Sequence, residues 1–143
     1  MSRAPAPQRD LAERLVAHET GGDNSSESDP LGAFHAIDKL RPHLVTLQGN
    51  IGFRSLVSRS IAVAGEETRW LRAVHVKSDG SLSGLQDLPA QLGPEQFYEG
   101  GVALLAQLLT LLFSLIGEDL TLQLVHQVWP DLPLIELAAG RRK

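Results

Sequence analysis

The side chains that could do chemistry in this chain are histidines, serines and acids, and the first candidate is a group of two histidines and a carboxylate. His35 and Asp38 are one helical turn apart, and His43 lies two turns beyond His35. A catalytic zinc ion needs three well-aimed ligands and the partners that orient them. Pro42 separates the histidines and the spacing matches no established ligand pattern, so surface or helix-cap histidines are the favoured interpretation. An enzyme with a histidine/carboxylate site is kept as a third functional hypothesis.

Acid–base and nucleophilic catalysis have weaker candidates. An imidazole can act as a general base near neutral pH, so His75 and His126 are candidate general bases. Neither belongs to a known catalytic motif. Ser55, Ser58 and Ser60 fall on a predicted helix rather than on the strand–turn–helix elbow that exposes a nucleophilic serine. No catalytic residue is predicted.

The acidic and glycine-rich stretches predict capping and turns rather than a bound cofactor. Glu118 and Asp119 follow Gly117 and suit the first turn of a helix, where carboxylates complement the helix dipole. The glycines do not form GxGxxG or a phosphate-binding loop, so nucleotide binding has no support. Neither a metal ion nor a cofactor is predicted.

Composition narrows the class of protein. The chain has 143 residues, of which 43% are hydrophobic, and this suits one compact domain. A net charge of -4 with only 5% aromatic residues disfavours binding to nucleic acid. The absence of cysteine excludes disulfides and cysteine-ligated metals, and the first residues lack an apolar signal core. These features predict a cytoplasmic location.

Residues 102–116 are the most apolar segment of the chain, and such a segment must be buried against another surface. As one helix it would span about 22 Å, less than the roughly 30 Å of bilayer hydrocarbon, and acids flank it. We therefore expect a core or interface helix and no membrane span. With the following segment up to Trp129 it predicts a helical hairpin about Gly117. The pair Gly100-Gly101 predicts a separation from the residues before it.

The middle of the chain predicts further amphipathic helices. Pro42 is expected to kink or divide the first of them, and Gly49-Asn50 to end it. Arg54 and Arg59 lie off the next apolar face and could receive an acidic partner or phosphate, or simply be solvated. Buried positions of the first helix recur every three or four residues: Leu31, Phe34, Ile37, Leu40, Leu44 and Leu47.

Helix and β-hairpin are alternatives for residues 73–85. Val74 and Val76 alternate with polar residues, and Asp79-Gly80 suits a two-residue type I′ turn. A small β-hairpin and a helix therefore both stay open as predictions for this segment.

The N-terminal residues 1–29 predict a flexible arm that carries a short amphipathic helix. Leu11, Leu15 and Val16 share one side of this helix, and residues 20–29 have the composition of a linker. The helix could lie in a groove of a partner or fold back over 102–128. Trp129 is likewise either a core anchor or an interface contact.

Three segments, GFRSLVSRSIAVA, WLRAVHVKSDGSL and LLTLLFSLIGEDLTLQLVHQVWP, together resemble a group of small uncharacterised bacterial proteins. The resemblance covers roughly residues 37–135. It implies a bacterial source, and it brings no activity, cofactor or catalytic residue with it.

Taken together, the sequence predicts a mainly α-helical bundle, residues 30–138, around the C-terminal apolar hairpin, with a basic tail at 139–143. The leading functional hypothesis is a non-enzymatic protein-interaction or regulatory module, with self-association through apolar helices as one form of it. The alternative is a helical protein that binds a small apolar ligand, with His75 or His126 as its polar contact. The interaction residues predicted are Leu11, Leu15, Val16, Arg54, Arg59 and Trp129.

Overall fold

The computed structural model describes residues 6–19, 32–84 and 93–130, and in these ranges the fold is mainly α-helical, as predicted. The predicted linker 20–29, the helix start at Asp29-Pro30 and the basic tail 139–143 lie outside the described residues. In chain order the elements are helices α1 (Ala6–Glu19) and α2 (Gly32–Glu67), a 3₁₀ helix (Arg69–Ala73), strands β1 (His75–Val76) and β2 (Leu82–Ser83), and helices α3 (Pro94–Ile116) and α4 (Glu118–Val128).

Helix α3 is the centre of the fold and packs against α1, α2 and α4. Residues 102–109 are buried without interruption, since this part of α3 has neighbours on all sides. Among the described residues α3 is also the helix that is long and apolar enough to cross a bilayer, and 61% of its candidate window is buried inside the fold. Such burial is the pattern of a central core helix. With 23 residues it is longer than the apolar run alone suggested.

Helix α1 belongs to the same core. Leu11, Leu15 and Val16 are buried against α2 and α3. Arg9 extends the contact by donating a hydrogen bond to Glu99 Oε1 on α3 over 2.6 Å. This helix was expected either in a groove of a partner or folded back over 102–128. In the structure it is folded back and packs on α3 and α2.

The break in α2 falls at Gly49 and not at Pro42. The backbone of Gly49 is non-helical, with φ 81° and ψ 164°, a conformation that is accessible essentially to glycine alone. The expected kink at Pro42 is wrong in its position, because the helix passes through the proline and Thr46 still donates its hydroxyl to the Pro42 carbonyl. The glycine stop predicted at Gly49 is the real interruption.

Residues 75–83 form the small antiparallel hairpin, with His75 paired to Ser83 and Val76 to Leu82. Its turn differs from the predicted type I′. The Gly80 amide donates to the Lys77 carbonyl, and the described non-glycine residues all have negative φ, whereas type I′ needs positive φ at both central positions. Within residues 77–81 Gly80 alone has positive φ, which indicates a three-residue loop closed by a glycine rather than a two-residue turn.

Gly100 and Gly101 do not divide α3, which runs through both. A Cβ on Gly100 would lie 2.1 Å from a ring carbon of Trp70, and one on Gly101 would lie 2.9 Å from the Cβ of Ala33. These glycines are therefore close-packing positions within a continuous helix. The predicted separation is wrong because tertiary packing outweighs the helix propensity of glycine.

Candidate interaction surfaces

The histidines and serines singled out in the sequence do not converge on one centre. His35 is exposed, Asp38 forms an ion pair with Arg41 at 3.2 Å, and His43 is half-buried. Within 6–19, 32–84 and 93–130, no three histidine or acidic side chains are grouped so that they could hold a metal ion. His75 and His126 are both exposed, one on the hairpin and one on α4.

Trp129 is almost completely buried and belongs to the hydrophobic core. Its backbone amide donates to the Val125 carbonyl at the end of α4. Of the two roles expected for this residue, its position fits the core anchor. The same holds for Leu11, Leu15 and Val16, whose apolar surface is already covered by the chain itself.

A groove between α2 and α4, called the leucine groove below, has exposed apolar side chains on both sides. Leu47 of α2 is 47% exposed and Leu120 of α4 is 39% exposed. Leu124 is buried and also lines the groove. The groove has a volume of about 370 Å³ and is lined by Pro42, His43, Thr46, Leu47, Leu120, Leu124 and Gln127.

The leucine groove was not anticipated. Leu47 continues the apolar spacing of Leu40 and Leu44, and for this reason it was predicted to be buried, which is wrong. It stands two residues before the break at Gly49, close to the end of the first helical part of α2. The sequence carried a signal for the exposure of Leu47 alone, since the predicted stop at Gly49 makes Leu47 the last member of its stripe.

A second groove, called the arginine groove, brings the predicted residues Arg54 and Arg59 together. Its volume is about 700 Å³, and its lining is Ile51, Arg54, Ser55, Ser58, Arg59 and Val76. The first five come from α2, and Val76 comes from β1. Asn50 fixes the hairpin beside this helix by donating its amide to the Ser78 carbonyl over 2.9 Å.

A third groove lies where the 3₁₀ helix meets the start of α3, and it is predominantly acidic. Glu67, Glu95 and Glu99 line it together with Arg69, and Trp70 and Gly100 complete its apolar part. Trp70 stacks on Phe97 with ring centroids 5.1 Å apart. The volume of this third groove is about 490 Å³.

Tyr98, next to Glu99, is expected to titrate above the ordinary tyrosine value of about 10. Burial raises the pKa of its hydroxyl, and the charges of Glu13 and Glu99 raise it further. Because folding favours the neutral phenol, this contribution to stability is fully present below the unfolded-state pKa and is lost as the pH rises towards the folded-state pKa. Tyr98 is the one tyrosine in the sequence, so the absorbance of tyrosinate during a pH titration reports on it alone.

The variant Glu13→Gln should move this titration midpoint downwards by removing one of the charges that oppose ionisation. Glu66→Gln is the matched control, because Glu66 is not among the groups that act on Tyr98. A midpoint at or below the ordinary value in the folded protein would contradict the prediction.

Comparison with known proteins gives no relative: no family model, curated protein or solved structure matches this chain. The resemblance to small bacterial proteins and the cytoplasmic location therefore stay predictions.

Proposed function

We propose that this protein is a non-enzymatic interaction module that self-associates through the leucine groove. The observation that carries the proposal is the placement of Leu47 and Leu120, two substantially exposed leucines, on opposite sides of one groove. Single exposed apolar residues are common on protein surfaces and need no explanation. A concave surface with apolar side chains from two helices is a better basis for association, because burying it removes apolar area from water.

The charge of the groove favours a second copy of the same chain as the occupant. The chain carries a net charge of -4, so two copies repel each other weakly at long range. The described residues that line the leucine groove include no acid, lysine or arginine. In a symmetric dimer the same patch meets itself, and a patch without formal charge avoids like-charge contacts across the interface.

The two helices that form the groove make it a firm surface. Leu44 of α2 and Val125 of α4 are both buried in the core next to groove residues. Side chains on packed helices lose less conformational freedom on association than those on loops do, which lowers the entropic cost of binding.

The proposal predicts a concentration-dependent dimer that Leu47→Glu and Leu120→Glu each convert to monomer. A glutamate would bury its charge opposite its own copy across the symmetric contact, which is unfavourable. The measurement is sedimentation velocity over a wide concentration series, with circular dichroism to verify that each variant is folded. Both leucines are partly exposed, so the substitutions leave the core intact.

Leu115→Glu is the matched control. Leu115 is 55% exposed at the end of α3 and does not line the leucine groove, so the same substitution should leave the dimer unchanged. The proposal fails if the wild-type protein is monomeric at all concentrations. It fails equally if a dimer persists in the Leu47→Glu, Leu120→Glu double variant.

A further inference from the structure

The arginine groove carries two cationic side chains whose donors are not used within the described fold. Arg9, Arg14 and Arg41 are each within ion-pair distance of a carboxylate. Arg54 and Arg59, in contrast, have no ion pair or hydrogen bond among the described residues. These two arginines are also the ones that share a groove.

The guanidinium of Arg54 is partly buried and has no acceptor among the described residues. Its Nε is buried and has no hydrogen-bond partner among the described residues. A buried donor that is left unsatisfied costs roughly 1–3 kcal/mol, and native proteins rarely leave one without an acceptor. An anion in the groove would neutralise the charge of Arg54 and would accept from the accessible terminal N–H groups of its guanidinium, while the buried Nε stays out of its reach.

The helical spacing aligns the other donors with Arg54. Ile51, Arg54, Ser55 and Ser58 follow the i, i+3, i+4, i+7 pattern of one helix face. Arg59 adds a second guanidinium beside them. Among the described residues no carboxylate lines the groove, so no acidic side chain of this lining competes for these donors.

We propose that the arginine groove binds the phosphate group of a small organic phosphate monoester. A guanidinium offers up to five N–H donors in a planar fork that matches phosphate oxygens, and each serine adds a hydroxyl. Two guanidiniums and two hydroxyls exceed what the two oxygens of a carboxylate can accept, while a phosphate monoester has three terminal oxygens and a charge near -2. The donor set therefore fits phosphate better than carboxylate.

The rest of the lining selects an organic ester rather than the free ion. Ile51 is 77% exposed, and Val76 of β1 lines the same groove. These apolar side chains can cover a small carbon skeleton, and the volume of about 700 Å³ lies within the usual range for small-molecule sites. The hydrogen bond from Asn50 to the Ser78 carbonyl holds the hairpin, and hence Val76, near α2.

The test is a titration of the full-length protein with phenyl phosphate and, separately, with inorganic phosphate. Binding is followed by ¹H–¹⁵N correlation spectra, in which amide shifts locate the site. Phenyl phosphate should shift amides of residues 51–59 and 75–76 in a saturable way, and inorganic phosphate should bind there more weakly. Saturable shifts confined to other parts of the chain, or an equal affinity for inorganic phosphate, would overturn the assignment.

Arg54→Gln and Arg59→Gln should each raise the dissociation constant for phenyl phosphate about tenfold or more, since each removes a charge-assisted contact. Arg69→Gln is the matched control: it removes the same charge from the 3₁₀ helix, outside the arginine groove, and should leave the constant unchanged. Equal weakening by all three variants would indicate general charge attraction and would overturn the site.

This inference is independent of self-association, because the arginine groove and the leucine groove share no residue. The variant Leu47→Glu should therefore retain phenyl phosphate binding. Arg59→Gln should keep the dimer.

Discussion

Replacing Phe97 with alanine is expected to lower the free energy of unfolding by about 3–5 kcal/mol. Phe97 is completely buried in the first turns of α3. Its ring lies between two others, with centroids 5.5 Å from Phe34 of α2 and 5.1 Å from Trp70 of the 3₁₀ helix. Truncation would thus open a cavity where three elements meet. Because small domains are stable by only about 5–15 kcal/mol, the loss is a large fraction of the total.

Urea denaturation followed by circular dichroism measures this effect. Phe97→Leu keeps most of the apolar volume and should cost less than about 1.5 kcal/mol. Phe113→Ala is the matched control, since Phe113 lies on the same helix but is only partly buried. If Phe97→Ala cost no more than Phe113→Ala, the aromatic contact between α2, α3 and the 3₁₀ helix would not be the packing centre inferred here.

The sequence predicted the fold class because apolar spacing alone determines which faces must be buried. Phe34, Ile37, Leu40 and Leu44 recur at helical spacing, and all four lie in the core. The apolar run 102–116 likewise predicts a central helix, and α3 occupies that position. Apolar periodicity predicts the buried residues of a helix well when one face of a long helix is covered along its whole length.

The same reasoning failed where the effect of one residue depends on its neighbours. Pro42 was expected to interrupt α2, yet the chain continues as a helix there and breaks at Gly49 instead. Gly100 and Gly101 were expected to end a helix, yet they allow Trp70 and Ala33 to approach α3 closely. A single sequence shows the local preference of a residue but not what packs against it.

The candidate sites were predictable only in part. Arg54 and Arg59 were recognised because helical spacing places them off an apolar face. The leucine groove could not be predicted, because Leu47 and Leu120 are 73 positions apart in the sequence and meet only through the packing of α4 on α2. Contacts of this kind depend on tertiary structure, and the sequence of neither helix predicts them.

The second large effect is expected at Gly100, where alanine should destabilise the protein by about 1–3 kcal/mol. In an exposed helix interior the same change would stabilise by about 1 kcal/mol, because alanine has the higher helix propensity. Here the new Cβ would lie 2.1, 2.8 and 2.9 Å from three ring carbons of Trp70, distances that no relaxed contact tolerates. The indole must therefore move and give up part of its stacking on Phe97.

A double-mutant cycle separates these two opposing contributions. Trp70→Ala removes the ring that the new methyl group would strike, and Gly100→Ala made in this background should therefore stabilise the protein, by about 1 kcal/mol if helix propensity is all that remains. The measurement is the free energy of unfolding of the wild type, both single variants and the double variant. A change of sign between the two backgrounds would show that Gly100 is required for the close approach of Trp70. If Gly100→Ala destabilises the protein equally in both backgrounds, the requirement for glycine does not come from this contact.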